Sequence, residues 1–212
     1  VLNLVERGFE VVVSTTQEPK VRIEGVTYLV CDLTDTKQVN HLVGQAGADT
    51  LLHVAWKSAA GSLWASPENI IWLKASLDLG QAFLGAGGKR LTVCGSCAEY
   101  DWSEGTCVED VTPLRPNTIY GSSKVSLLHG LYAMSALAGA SFAWGRPFFI
   151  YGPRESENRL GAYVALSLLR GEEALCSHAM QLRDYCHVSD VGRTLAELAT
   201  SQLVGEFNLG SG

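Results

Sequence analysis

Positive charge is in short supply in this sequence: 16 Lys and Arg stand against 22 Asp and Glu, for a net charge of −6. That balance argues against nucleic acid or an anionic membrane surface as the main partner, since both reward a basic face. Individual arginines can still hold a phosphate. No apolar run approaches the length of a membrane span, and no signal-peptide pattern opens the chain, so a cytoplasmic location is the expectation. Internal repeats and low-complexity tracts are absent. Metal-ligand patterns are nearly so: among six cysteines there is one CxxC, Cys94-Gly-Ser-Cys97, with no second pair and no fitting histidines. The cysteines read as reduced, mostly buried small residues, and no metal site is expected.

What is present is apolar. Hydrophobic residues make up 47% of the 212 and charged residues only 18%, the mark of a well-buried globular interior. Val1–Gly8 has the pattern of a closing helix, and Glu10–Ser14 is a β-branched run suited to a strand buried on both faces. Strands are also expected at Tyr28–Cys31, Thr50–Ala55, Arg90–Gly95, Ser141–Phe149 (broken by Pro147), Arg183–Val188 and Gly205–Leu209. Between them the periodicity predicts helices: one after an N-cap at Thr34 or Asp35, and one opened by Ser66-Pro67-Glu68 and closed by Gly85–Gly88. Others cover Tyr120–Ala138, Asn158–Arg170 and Asp190–Ser201. This alternation predicts an α/β fold with a Rossmann-type doubly wound parallel sheet, whose ligands lie at the carboxyl ends of the strands. Residues 1–152 form the expected dinucleotide-binding domain. Residues 153–212, where the alternation loosens, supply part of a small C-terminal substrate lobe and the last strand. A helix that feeds a central strand is an unusual opening, so a first strand and loop are expected upstream of Val1, and more of the lobe after Gly212.

The chemistry concentrates in Thr118–Lys124, TIYGSSK. On a helix Tyr120 and Lys124 are neighbours one turn apart. A free phenol has a pKa of about 10, and a nearby ammonium favours the phenolate and lowers it. Ser96, at the carboxyl end of the Arg90–Gly95 strand, can hold a reacting oxygen in line. The same spacing also suits an ordinary amphipathic pair, so the surroundings must decide.

Seven segments decide it by their order. Cys31-Asp32-Leu33, His53-Val54-Ala55, Ser96-Cys-Ala-Glu-Tyr100, Tyr120-Gly-Ser-Ser-Lys124, Arg146-Pro-Phe-Phe-Ile-Tyr-Gly-Pro153, Arg183-Asp-Tyr-Cys-His-Val-Ser-Asp190 and Phe207-Asn-Leu-Gly-Ser-Gly212 run in one series. Together they resemble the extended short-chain dehydrogenase/reductase family, specifically its nucleotide-sugar epimerases, dehydratases and ketoreductases. The resemblance implies Ser96, Tyr120 and Lys124 as the catalytic residues. It implies a dinucleotide held by Ser14, Asp32, Leu33, His53, Val54, Ala55, Tyr120, Lys124 and Pro147. The sugar nucleotide falls to Ser96, Cys97, Asn158 and Arg183, the arginine on a phosphate. For Arg183 the competing reading is a surface ion pair, and for His53 and His187 it is packing. Trp56, Trp64 and Trp102 flank the expected pocket mouth as platforms or as packing. One element departs from the family: the glycine-rich phosphate loop does not occur in the sequence.

The family's dehydratases carry Thr-Asp-Glu where this chain has Ser96-Cys97-Ala98, which argues against elimination of water. NAD(P)-dependent 4-ketoreduction of a nucleotide sugar is the first expectation and epimerisation the second. A non-catalytic dinucleotide sensor or scaffold on the same fold is the third. After Val13 the chain reads Ser14-Thr-Thr-Gln17 with no acid for a ribose 2′-hydroxyl, while Lys20 or Arg22 could meet a 2′-phosphate. The tilt is toward NADP, with NAD as the alternative. A homodimer through the Ser66 and Tyr120 helices is expected from the family habit.

Overall fold

The run Val11–Val13 has three branched side chains in succession, which favours the extended backbone. In the computed structural model, which describes residues 1–57, 63–177 and 180–212, it forms strand β1 (Val11–Thr15) after a short helix α1 (Leu2–Glu6). β1 pairs in parallel with β2 (Val26–Val30), Val11 opposite Val26 and Thr15 opposite Val30. The second strand therefore begins earlier than Tyr28. Asp35 caps α2 (Thr36–Ala46) by accepting the N–H groups of Lys37 and Gln38.

The main sheet runs β3 (Thr50–His53), β4 (Arg90–Cys94), β5 (Ser141–Pro147), β8 (Gly205–Leu209) in that spatial order, all parallel. Among the described residues no ladder joins β1 to β3. Crossovers are made by α3 (Glu68–Gly85) and α4 (Ile119–Ala138). Pro67 occupies the cap position of α3, not the first helical one, and the Ser66 hydroxyl accepts the Glu68 N–H at 3.3 Å. Phe83, Leu91, Val93, Leu127, Leu128, Leu131, Phe142 and Trp144 form the largest core cluster, between these helices and β4–β5. No helix of the described residues is long and apolar enough to cross a membrane.

Pro147 does more than break a strand. β5 stops there against Leu209, and Phe148 and Phe149 then donate to the carbonyls of Leu209 and Asp184. The chain thus leaves the main sheet and starts β6 (Phe149–Tyr151), which pairs in parallel with β7 (Tyr185–His187). Helix α5 (Leu160–Leu169) connects the two, and α6 (Val188–Thr200) returns to the main sheet through Val191, Leu195 and Leu198. The buried Arg90 guanidinium secures that return by donating to the carbonyls of Leu198, Ala199 and Leu203 at the end of α6.

Candidate active site

β4 delivers its chain into a tight turn. Ser96 caps the single 3₁₀ turn Cys97–Glu99: its Oγ accepts the Ala98 N–H at 3.2 Å, while its own N–H donates to Glu99 Oε1 at 2.7 Å. Gly95 makes the turn possible, because a Cβ there would lie 2.6 Å from Trp144 Cε2 and 2.7 Å from Glu99 Oε1. Glu99 itself is fully buried. Trp144 Nε1 donates to both its oxygens at 3.2 and 3.0 Å, and Arg146 Nε donates at 2.6 Å. The guanidinium continues to Glu206 and to the Tyr100 hydroxyl, and Tyr100 donates to Asn208 at 2.8 Å. Burial raises the Glu99 carboxyl pKa on balance, with Arg146 pulling against it. Every group directed at its oxygens is a donor, so the ionised form is the one this pocket accommodates.

The N-terminus of α4 is pressed against that turn. Thr118 caps it, accepting the Gly121 N–H at 3.0 Å. At Gly121 a side chain would fall on the Ala98 carbonyl and 2.6 Å from Pro116 Cβ. Tyr120 is carried there half-buried, its ring edge-on to Trp56 (centroids 6.0 Å, 74°) and Trp64 (5.6 Å, 81°). Lys124 is buried; its Nζ donates to the Cys94 carbonyl at 2.9 Å and sits 4.0 Å over the Trp56 ring, 6.0 Å from the Tyr120 ring.

The electrostatics correct one expectation. The Tyr120 pKa is raised, first by burial and then by Cys94, Glu99 and Cys97, against the nearby Ser96 hydroxyl, which lowers it. Lys124 does not reverse this: its Nζ lies with the Cys94 carbonyl and the Trp56 face. Burial depresses the Lys124 pKa, opposed by Cys94 and Glu99. Phenol and amine are therefore a desolvated pair, and burial works against the charged form of each.

The expected cofactor contacts lie at the carboxyl ends of their strands, with different side-chain commitments. Ser14 and Val54 are exposed, and Ala55 packs beside α3. The exposed Asp32 carboxylate accepts the Thr34 N–H and hydroxyl at 2.9 and 2.7 Å, while Leu33 is buried with Cys31, Val39, Leu42 and Leu79. His53 is buried and bonded to the Ser76 hydroxyl at 2.8 Å, its pKa pushed down to about 3 by burial and then by Lys124. Its ring is thus occupied by helix α3. Pro147 is buried at the end of β5. Lys124 decides the fit to a dinucleotide: it is a buried ammonium in no ion pair among the described residues, with a carbonyl as its hydrogen-bond acceptor there. Such a group suits a ligand rich in oxygen acceptors, as a ribose is.

Asn158 and Arg183 come together in a second place, a cleft of about 280 Å³ shared with Phe149, Glu155, Arg159 and Tyr185. The Arg183 guanidinium lies over two rings, 5.2 Å from Phe149 and 5.7 Å from Trp102. Among the described residues it forms no ion pair; the adjacent Asp184 carboxylate is taken by Ser211 and Gly212. Cys97 is buried, its thiol pushed up to about 12 mainly by burial, and the cysteines are free. No metal-ligating cluster occurs among the described residues. Sequence reasoning missed Glu99 and Arg146 as a pair, although each is the one charged residue in an otherwise apolar stretch, a pattern that signals a buried partner.

A family profile described as the NAD dependent epimerase/dehydratase family matches residues 1–210. The chain belongs to that family. It is similar to the UDP-glucose 4-epimerase of Streptomyces lividans, 29% identical over 211 residues, which cover 89% of this chain and 64% of that protein. The chain thus spans less than two thirds of that relative. Among solved structures it resembles MoeE5 in complex with UDP-glucuronic acid and NAD (27% identity, TM-score 0.83, all of this chain and 71% of the other). The fold also matches the UDP-glucose 4-epimerase of Thermus thermophilus in complex with NAD (24% identity, TM-score 0.83, all of this chain and 73% of that one).

Proposed function

We propose that the chain carries the reaction centre of an NAD-linked enzyme that epimerises a nucleotide-activated sugar at a ring carbinol, C4 being the expected position. The observation that carries this reading is the convergence of Ser96, Tyr120 and Lys124 where the β4 turn meets the N-terminus of α4. Bound nicotinamide supplies a hydride acceptor, and later a donor, for the sugar carbon. The protein's part is the proton. Tyr120 takes it from the sugar hydroxyl as the carbonyl forms and returns it when the carbon is reduced from the other face. The Ser96 hydroxyl, which already acts on the Tyr120 phenol, holds the same oxygen. Lys124 binds the ribose, and Tyr120 accepts the proton as a phenolate, which the positive charge of an oxidised nicotinamide beside it would favour. Trp56 and Trp64 shield the phenol from water, and Arg183 meets the diphosphate from the Asn158 cleft.

Two observations move the reading from 4-ketoreduction with NADP toward recycling of NAD. Arg22 is paired with Glu18 at 2.6 Å and lies over the Tyr28 ring, so one of the two cations available for a 2′-phosphate is already committed. The MoeE5 structures, at 26% and 27% identity, contain NAD with UDP-glucose or UDP-glucuronic acid. A second copy of the chain is the expected partner, across exposed Ile70 and Ile71 on α3 and Ile119, Tyr132 and Leu137 on α4. The test is incubation with UDP-glucose and NAD. Appearance of the C4 epimer without net change in cofactor absorbance supports the reading. Steady consumption of NADPH with a 4-keto nucleotide sugar, and no epimer, replaces it by ketoreduction.

A further inference from the structure

We infer that Glu99 is a positioning residue for the proton-transfer pair: its buried carboxylate, clamped by Arg146, fixes Ser96 through the main-chain N–H and sets the charge that Tyr120 and Lys124 experience. This rests on the reading of Tyr120 as the proton-transferring group.

The geometry is specific. Glu99 is wholly buried, and its oxygens receive the Ser96 N–H at 2.7 Å, Arg146 Nε at 2.6 Å and Trp144 Nε1. Ser96 in turn caps the turn that contains Glu99, so serine and carboxylate lock each other. The neighbouring strand contributes the cation, and the strand beyond it contributes Glu206, which holds the far side of Arg146. The pocket spends a buried ion pair on a turn three residues long, which packing alone does not require. The groups facing Glu99 are Arg146 from β5, Tyr120 and Lys124 from α4, Cys94 from β4 and Cys97 from its own turn; Glu206 and Tyr100 reach it through Arg146. Its negative charge raises the pKa of both Tyr120 and Lys124. Removing it moves both in the same direction, downward.

Two substitutions separate charge from reach. Glu99→Gln keeps an oxygen for the Ser96 N–H, loses the charge, and sets its amide N–H groups against the donors of Arg146 and Trp144. The pH–rate profile is expected to shift to lower pH by about half a unit or more, with both limbs moving together and KM unchanged. In cofactor-free protein, tyrosinate absorbance, taken as the difference from Tyr120→Phe, should rise at correspondingly lower pH. Glu99→Asp keeps the charge and retracts it by one methylene. The expectation is a kcat lower by about ten- to a hundredfold, with the profile in place and cofactor affinity, read by tryptophan quenching, retained. Superimposable profiles for Glu99→Gln and its parent, or an undiminished kcat for Glu99→Asp, overturn the inference. If Glu99→Gln does not fold, the Glu99→Asp result decides alone. Turnover surviving in Tyr120→Phe defeats the proposed function itself. Its loss there, with both Glu99 variants like the parent, defeats only the inference.

Discussion

Substituting Gly121 by alanine adds one methyl group at the contact that sets the distance between the Tyr120 helix and the Ser96 turn. The new Cβ would overlap the Ala98 carbonyl and lie 2.6 Å from Pro116 Cβ. Carbon atoms rest at roughly 3.5–4.0 Å, so the start of α4 must withdraw by about 1 Å. Neither neighbour yields easily: one is backbone and the other a ring. Tyr120 is the preceding residue and moves with the helix, while Ser96 stays with the buried Glu99–Arg146 pair. A misplacement of about 1 Å between reacting groups costs about a hundredfold in rate, and overpacking of this kind costs about 1–3 kcal/mol of stability. The assay is kcat for sugar epimerisation beside thermal unfolding of the same preparation. Gly121→Ala should remain folded, melt a few degrees lower, and lose about two orders of magnitude in kcat with cofactor affinity little changed. A variant that turns over within threefold of the parent would refute the claim that this contact aligns the site.

Other consequences follow from the same geometry. His53 is held neutral, its pKa about 3 against an ordinary 6.5. The unfolded chain therefore binds the proton more readily, and stability falls as pH drops below 6.5 toward 3. Between pH 7 and pH 5 this group alone removes about 2 kcal/mol. Denaturant titrations should show that His53→Gln lacks this part of the acid sensitivity; equal pH slopes for variant and parent would contradict it. Arg183→Lys exchanges a planar cation lying on Phe149 and Trp102 for a compact one. Its nucleotide-sugar KM should rise about tenfold with kcat nearly unchanged, and an unaltered KM would remove Arg183 from the binding cleft.

Most of the fold is legible in the chain because its cues are local. The branched run Val11–Val13, the Asp35 cap and Gly139, which closes α4 with φ +67°, each specify backbone within a few residues. The Tyr120–Lys124 spacing and the strand-end Ser96 are legible for the same reason. What escaped the sequence is what depends on distant segments. Glu99 meets Arg146 across a separation of 47 residues, and nothing near either one names the other. The raised pKa of Tyr120 depends on burial beside Trp56 and Trp64, which the helix spacing does not reveal. Pro147 is visible as a breaker, but its consequence, a change of sheet after β5, requires β7 to be waiting with the Asp184 carbonyl. His53 looks like a cofactor-lining residue by its place in the strand, yet its ring turns to Ser76.

Tyr120→Phe tests the central claim most directly, with turnover of UDP-glucose and binding of NAD measured on one sample. The account predicts that conversion to the C4 epimer disappears while NAD still binds, because the ring that packs against Trp56 and Trp64 is kept and the hydroxyl that carries the transferable proton is removed. Conversion at an undiminished rate would contradict it.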